Sequence, residues 1–143
     1  MLWNTMGTVM AEQGDYANAE IFFREAVRLE PDFAKAIYNL GNARLSQGDA
    51  EEALTFCERA LTYEMPEQER QMMRLSLSTI LIALGRVGEG WDVYESRLHP
   101  AHPDVTHFAI EAPRWTPGAD LAGKSLLVVG EQGLGDEIGR AHV

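Results

Sequence analysis

Seven residues, Gly130-Glu131-Gln132-Gly133-Leu134-Gly135-Asp136, hold the types and spacing best suited to chemistry in this chain. Glycines let successive backbone N–H groups converge on one point, and such groups at a helix N-terminus receive an anion. A carboxylate closing that turn can take a proton as a general base. Gly133 and Gly135 are therefore candidates for a glycine loop, with Asp136 at its end. The order G-x-x-G-x-G is neither the G-x-G-x-x-G dinucleotide fingerprint nor a phosphate loop ending in Gly-Lys-Ser/Thr. The plainer alternative is a tight strand-to-helix turn in which Asp136 only caps the helix.

Other candidates are weaker. His99, His102 and His107 cluster, but their spacing is irregular and no thiolate lies nearby, so no metal site is expected. The single cysteine, Cys57, cannot form an internal disulfide and reads as a small core residue.

The glycine turn needs an element to present it. Lys124-Ser125-Leu126-Leu127-Val128-Val129 is a short apolar run bounded by glycines and reads as a buried parallel strand. Strand, glycine turn and helix start together open an α/β domain, which needs more chain than the seven residues after Asp136. The last six residues, IGRAHV (138–143), are what a common sequencing adapter translates to. The native frame is accordingly expected to end near Ile138. Upstream, Pro100, Pro103, Pro113 and Pro117 break any helix, and 98–123 reads as a connector.

The rest of the chain repeats itself. Gly7 and Gly41, Gly14 and Gly48, Asp15 and Asp49, Ala19 and Ala53, and Ala26 and Ala60 are each 34 residues apart. That period marks a solenoid of helix hairpins. Trp3, Met6, Val9 and Met10 give the first helix its apolar stripe, with Trp3 as the first core position. Ala19, Phe22, Phe23, Ala26 and Val27 line the second. Ile37, Leu40 and Leu45 recur in the third helix, expected over 33–47. Ala53, Leu54, Cys57, Ala60 and Leu61 follow in the fourth. Asp32 is placed to cap the third helix, and Asp49 with Glu52 reads as an acidic capping box. A third, degenerate unit begins at Pro66. Gly85 recurs 37 residues after Gly48, and Met72, Met73, Leu75, Leu77, Ile80, Leu81, Ile82 and Leu84 predict a helix covered on more than one side.

With Trp3, Gly7, Gly14, Tyr16, Ala19, Phe23, Ala26 and Pro31 at its most used positions, this region resembles the tetratricopeptide repeat (TPR) family. A concave groove lined by Asn4, Thr8, Lys35, Tyr38, Asn39 and Asn42 is expected to hold a protein or an extended peptide. Asn39 matches the groove asparagine of O-linked N-acetylglucosamine transferase repeats, whereas the first repeat has Thr5 there. A formal charge of −10 argues against nucleic acid and a polybasic membrane patch. No apolar run approaches the roughly 18 residues that span a bilayer. With no basic-then-apolar leader, a cytoplasmic location is expected.

Gly90, Trp91, Tyr94, Glu95 and Arg97, then Trp115, Gly123, Lys124 and Glu131 to Asp136, are similar to bacterial TPR-containing glycosyltransferases, whose catalytic domain resembles the heptosyltransferases. That resemblance implies a Rossmann-like, GT-B type domain truncated after its first strand, and Asp136 as the base that deprotonates the acceptor hydroxyl. It also implies a nucleotide-sugar donor for the full-length parent, with no cofactor in this fragment and no catalysis by it alone. The expected organisation is an all-α solenoid over 1–97, a linker over 98–123 and the start of an α/β domain over 124–143. The second reading is a non-enzymatic interaction module.

Overall fold

The computed structural model describes residues 1–102, 111, 113, 115, 116 and 118–127. The chain divides into two compact units, Met1–Val105 and Thr106–Val143. In the first, among the described residues, six α-helices follow one another: α1 (Leu2–Glu12), α2 (Tyr16–Leu29), α3 (Ala34–Ser46), α4 (Ala50–Leu61), α5 (Glu67–Ala83) and α6 (Val87–Tyr94). A 3-10 turn, Glu95–Leu98, ends the series.

The same three-residue turn folds each hairpin. Gly14, Gly48 and Gly85 take φ of 79°, 90° and 77°, a region that glycine enters without the Cβ penalty. The N–H after each glycine returns to the carbonyl five residues back, Asp15 to Met10, Asp49 to Arg44 and Arg86 to Leu81, each at 2.9 Å. The glycine N–H itself reaches the carbonyl three back. These paired bonds satisfy helix-end carbonyls in a Schellman motif. With so short a link, α1 and α2, α3 and α4, and α5 and α6 pack as antiparallel pairs. The 37-residue spacing to Gly85 does not disturb the turn, because the extra residues lie before it and α5 is 17 residues long against 13 for α3.

The caps follow the sequence in part. Asp15 accepts from the Asn18 N–H at 3.2 Å and Asp49 from the Glu52 N–H at 3.0 Å. The reciprocal half of the expected capping box is absent. The Asp49 N–H is already bonded to Arg44, and Glu52 turns to Arg24 and Arg44 instead. Nor does Asp32 cap α3, whose N-cap is Phe33 without a side-chain bond. Pro31 has a further role there. Its carbonyl accepts from Arg59 Nη2 at 2.6 Å and Tyr63 Oη at 3.3 Å, tying the end of the first hairpin to the second.

The hairpins stack, α2 against α3 and α4 against α5. Ala19, Phe23, Leu40 and Ala43 form one buried cluster. Ile37, Ala60 and Met73 form the next. Ala53, Leu54, Cys57, Ile80 and Leu81 form the third. Each large apolar side chain so buried contributes about 1.5–3 kcal/mol. One expectation changes. Trp3 is not a core position but is 37% exposed and stacked on the Phe22 ring at 6.0 Å. Helix α5 is covered on more than one side as expected, by α3, α4 and α6, while Met72 and Ile82 stay exposed on it.

In the second unit the described residues form turns. Thr116 O accepts from the Ala119 N–H and Leu121 O from the Lys124 N–H, both at 3.0 Å, with Gly118 and Gly123 at positive φ. Asp120 Oδ1 accepts from the Ala122 N–H at 2.9 Å, an Asx turn. The strand expected over 124–129 is not formed in its described part, 124–127. A strand exists only when its N–H and C=O groups ladder with a neighbour, and no neighbouring strand lies among the described residues. Residues 128 and 129 lie outside them.

Candidate functional site

The first helices of successive hairpins approach one another, α1 to α3 and α3 to α5. The second helices stand farther apart, bridged by long side chains such as Arg24, which reaches Glu52 Oε1 at 3.2 Å. The stack therefore curves toward α1, α3 and α5, and these three line its inner face.

A polar ladder crosses that face. Asn39 Nδ2 donates to Asn4 Oδ1 at 2.9 Å, joining α3 to α1. The Tyr38 and Ser76 hydroxyls lie 2.7 Å apart, joining α3 to α5. Counted back from the hairpin glycines, Asn4 and Tyr38 are equivalent positions, and so are Asn39 and Ser76. The same rung thus recurs with different chemistry. Thr5, at the Asn39 position, donates to the Met1 carbonyl at 3.3 Å instead, and the rung partner in the first repeat is its neighbour Asn4.

The six residues expected in the groove divide accordingly. Asn4 is buried and Asn39 half-buried in one rung, and Tyr38 is committed to the other. Thr8 Oγ1 donates to the Asn4 carbonyl at 3.0 Å within its own helix. Lys35 is exposed and Asn42 half-buried, and neither has a polar partner among the described residues. They are the two side chains of the set that remain available to a ligand. The sequence pattern missed Ser76, because the longer α5 shifts its register.

At the N-terminal ends of α1, α3 and α5 the inner face opens into a depression of about 450 Å³. Asn4, Thr5 and Lys35 line it together with Met1, Phe33, Met65 and Pro66, and Asp32, Glu64 and Glu69 add three carboxylates against the Lys35 ammonium and the Met1 amino group, which pairs with Glu30. An apolar floor under a mainly acidic lining suits a side chain with a hydrocarbon stem and a cationic head.

The opposite face carries a charge network. Arg44 Nη2 donates to Asp49 Oδ2 at 2.6 Å and Nη1 to Glu20 Oε2 at 3.2 Å, while Nε lies 2.6 Å from Glu52 Oε2, off the N–H axis. Arg24 joins Glu20 at 2.7 Å. Burial alone would raise the Glu20 carboxyl, but hydrogen bonds from Arg24, Gln47 and Arg44 outweigh it and hold it below the ordinary value. Hydrogen bonds from the Glu52 N–H and Arg44 do the same for Asp49. This network ties α2, α3 and α4 together.

The Gly-Trp-x-x-Tyr-Glu-x-Arg stretch is an aromatic stack. The Trp91 and Tyr94 rings meet edge to face at 5.2 Å, and Arg97 Cζ lies 4.5 Å above the Tyr94 ring. Cys57 is buried, and burial followed by the Glu58 charge pushes its thiol up to about 12, so it is no nucleophile. His99 Nδ1 accepts from the Ala101 N–H at 3.1 Å and Nε2 lies 3.9 Å from Glu67. No cluster of metal-binding side chains occurs among the described residues. His107, Gly133, Gly135, Asp136 and 138–143 lie outside them. No described helix is long and apolar enough to cross a membrane.

Residues 10–74 match the tetratricopeptide repeat family. The chain is also 50% identical over 138 residues to a protein of Caulobacter vibrioides named Protein FlbA, a match that takes in 96% of this chain and 23% of that protein. The chain thus spans about a quarter of the length of the curated relative it matches.

Proposed function

We infer, for a chain carrying tetratricopeptide repeats over residues 10–74, that the helical unit is a docking scaffold for an extended protein segment. The segment lies along the inner face, its backbone meeting Asn42 and Thr5, and a Lys or Arg side chain enters the acidic depression. The observation that supports this reading is that depression, lined by Asp32, Glu64 and Glu69 at one end of a polar-laddered groove. Charge complementarity of this kind contributes specificity more than affinity. The test is fluorescence anisotropy on a panel of extended peptides that differ at one position, Lys against Glu. A preference for Lys of about tenfold, equivalent to about 1.4 kcal/mol, is expected. It should disappear in Asp32→Asn/Glu69→Gln. Equal affinity for both peptides overturns the cationic preference.

The finer reading concerns the parent protein and is supported by sequence alone. The Glu131 to Asp136 motif after an apolar run resembles the catalytic opening of heptosyltransferase-like enzymes. On that reading the repeats position an acceptor for sugar transfer from a nucleotide-sugar donor. Asp136 takes the acceptor hydroxyl proton, and Gly133 and Gly135 form the turn that presents it. The product of the complete gene should then transfer sugar from a nucleotide-sugar, and Asp136→Asn should abolish transfer without weakening peptide binding. No turnover with any common nucleotide-sugar would leave the scaffold reading alone standing.

A further inference from the structure

Lys35 stands where the fold has no use for a cation. It is the second residue of α3, and the dipole of a helix favours an acid in its first turn. Helices α4, α5 and α6 follow that rule with Glu51 and Glu52, Glu67 and Glu69, and Glu89. The repeat does not call for lysine either, since the positions aligned with Lys35 through the turn glycines are Met1 at the head of α1 and Met72 in α5. Nor does pairing offset the position. Asp32, Glu64 and Glu69 line the same depression, yet none of the four charged side chains makes a hydrogen bond or ion pair among the described residues. The Met1 amino group, by contrast, is held by Glu30 at 3.2 Å. A residue that breaks a local rule without structural gain marks a functional position.

Asn4 points to the same place. It lines the depression and is only 8% exposed. Its Oδ1 accepts from Asn39, but its Nδ2 donates to no group among the described residues and is not sealed from solvent. A largely buried amide with an open donor suits a ligand carbonyl. We propose that Lys35 sets the specificity of the depression, an inference that rests on the docking reading above. The three carboxylates admit one cationic side chain, and the Lys35 ammonium turns away a segment that brings a second. In an extended segment, side chains two residues apart face the same way and lie about 7 Å apart. That is within the screening length of about 8 Å at physiological salt, so the second cation still meets the repulsion. The partner is thus a segment with an isolated Lys or Arg among uncharged neighbours, not a basic cluster. A like charge placed against the wrong partner is a common source of such discrimination.

A net charge of −10 would by itself draw the more basic segment more strongly, so the two effects predict opposite orders. Fluorescence anisotropy at physiological salt separates them, using two extended peptides with a central Lys, flanked two residues away on both sides by Ala or by Lys. The Lys-flanked peptide should bind the 143-residue chain at least about fivefold more weakly than the Ala-flanked one. In Lys35→Gln the order should reverse, with no fall in melting temperature by circular dichroism. Equal or tighter binding of the Lys-flanked peptide by the unaltered chain overturns the proposal. So does the same order surviving in Lys35→Gln, or a lower melting temperature in that variant, since Lys35 would then serve the fold. A third peptide with a central Ala tests the docking reading separately. If it binds both proteins as well as the central Lys does, the acidic depression takes no cation and both readings fall.

Discussion

A Cβ added to Gly41 would lie 3.2 Å from the Ala53 carbonyl oxygen, and one added to Gly90 would lie 2.6 Å from Ile82 Cγ1 and 3.0 Å from the Ser78 carbonyl oxygen. The two carbonyl approaches are the same contact seen from opposite sides. In the first two hairpins the first helix carries the glycine, Gly7 or Gly41, and the second carries Ala19 or Ala53. In the third, Ser78 occupies the glycine position and Gly90 the alanine position. The missing methyl has changed helices, and the close approach of the pair is kept. Gly90→Ala should therefore destabilise the protein by about 1–3 kcal/mol, the range for overpacking a tight core. Adding Ser78→Gly should recover part of that loss, so the double variant costs less than the sum of the singles. Urea midpoints of the four proteins measure the coupling; strict additivity would contradict a shared contact.

The helices owe their ends to polar groups and their positions to apolar ones. Asp15 and Asp49 cap α2 and α4 from the residue after the turn glycine, where the backbone already faces the helix N-terminus. Arg86 stands at that place before α6 and makes no side-chain cap. Asp49→Ala should lower the thermal midpoint, and Asp49→Asn should lower it less, because asparagine caps about as well as aspartate but pairs more weakly with Arg44. Arg86→Asp should raise the midpoint only if the new cap outweighs the lost pairing with Glu89 at 2.7 Å. Circular dichroism melts of the three variants rank these effects.

Across the whole helical unit, carboxylates carry the pH response. Asp15, Glu20, Glu25, Asp49 and Glu89 are all held below their ordinary values of 3.8 for Asp and 4.5 for Glu. For Asp15 the leading cause is the hydrogen bond from the Asn18 side chain, for Glu25 that from Arg28 and for Glu89 that from Arg86. A depressed folded-state pKa means that the unfolded chain binds protons first. The stability these groups give is complete above their ordinary values and is lost as pH falls through the folded ones. The melting temperature should therefore stay level from pH 7 to about 5 and fall below about pH 4. A decline that begins near pH 6 would point to histidine instead.

The 34-residue period, the turn glycines and the Ala19, Phe23 and Ala26 stripe determined the hairpins from sequence alone, because these are local demands. A positive φ needs glycine, a close helix pair needs small residues, and a helix face needs a 3.6-residue period. Residues 124–127 show where local reading ended, since an apolar β-rich run becomes a strand only beside another strand. The inner-face ladder was likewise beyond it. Asn4 pairs with Asn39, and Tyr38 with Ser76, across gaps of 35 and 38 residues. Which amides are spent in rungs, and which side chains such as Lys35 remain for a ligand, follows from the distance between neighbouring helices, and only the tertiary structure fixes that distance.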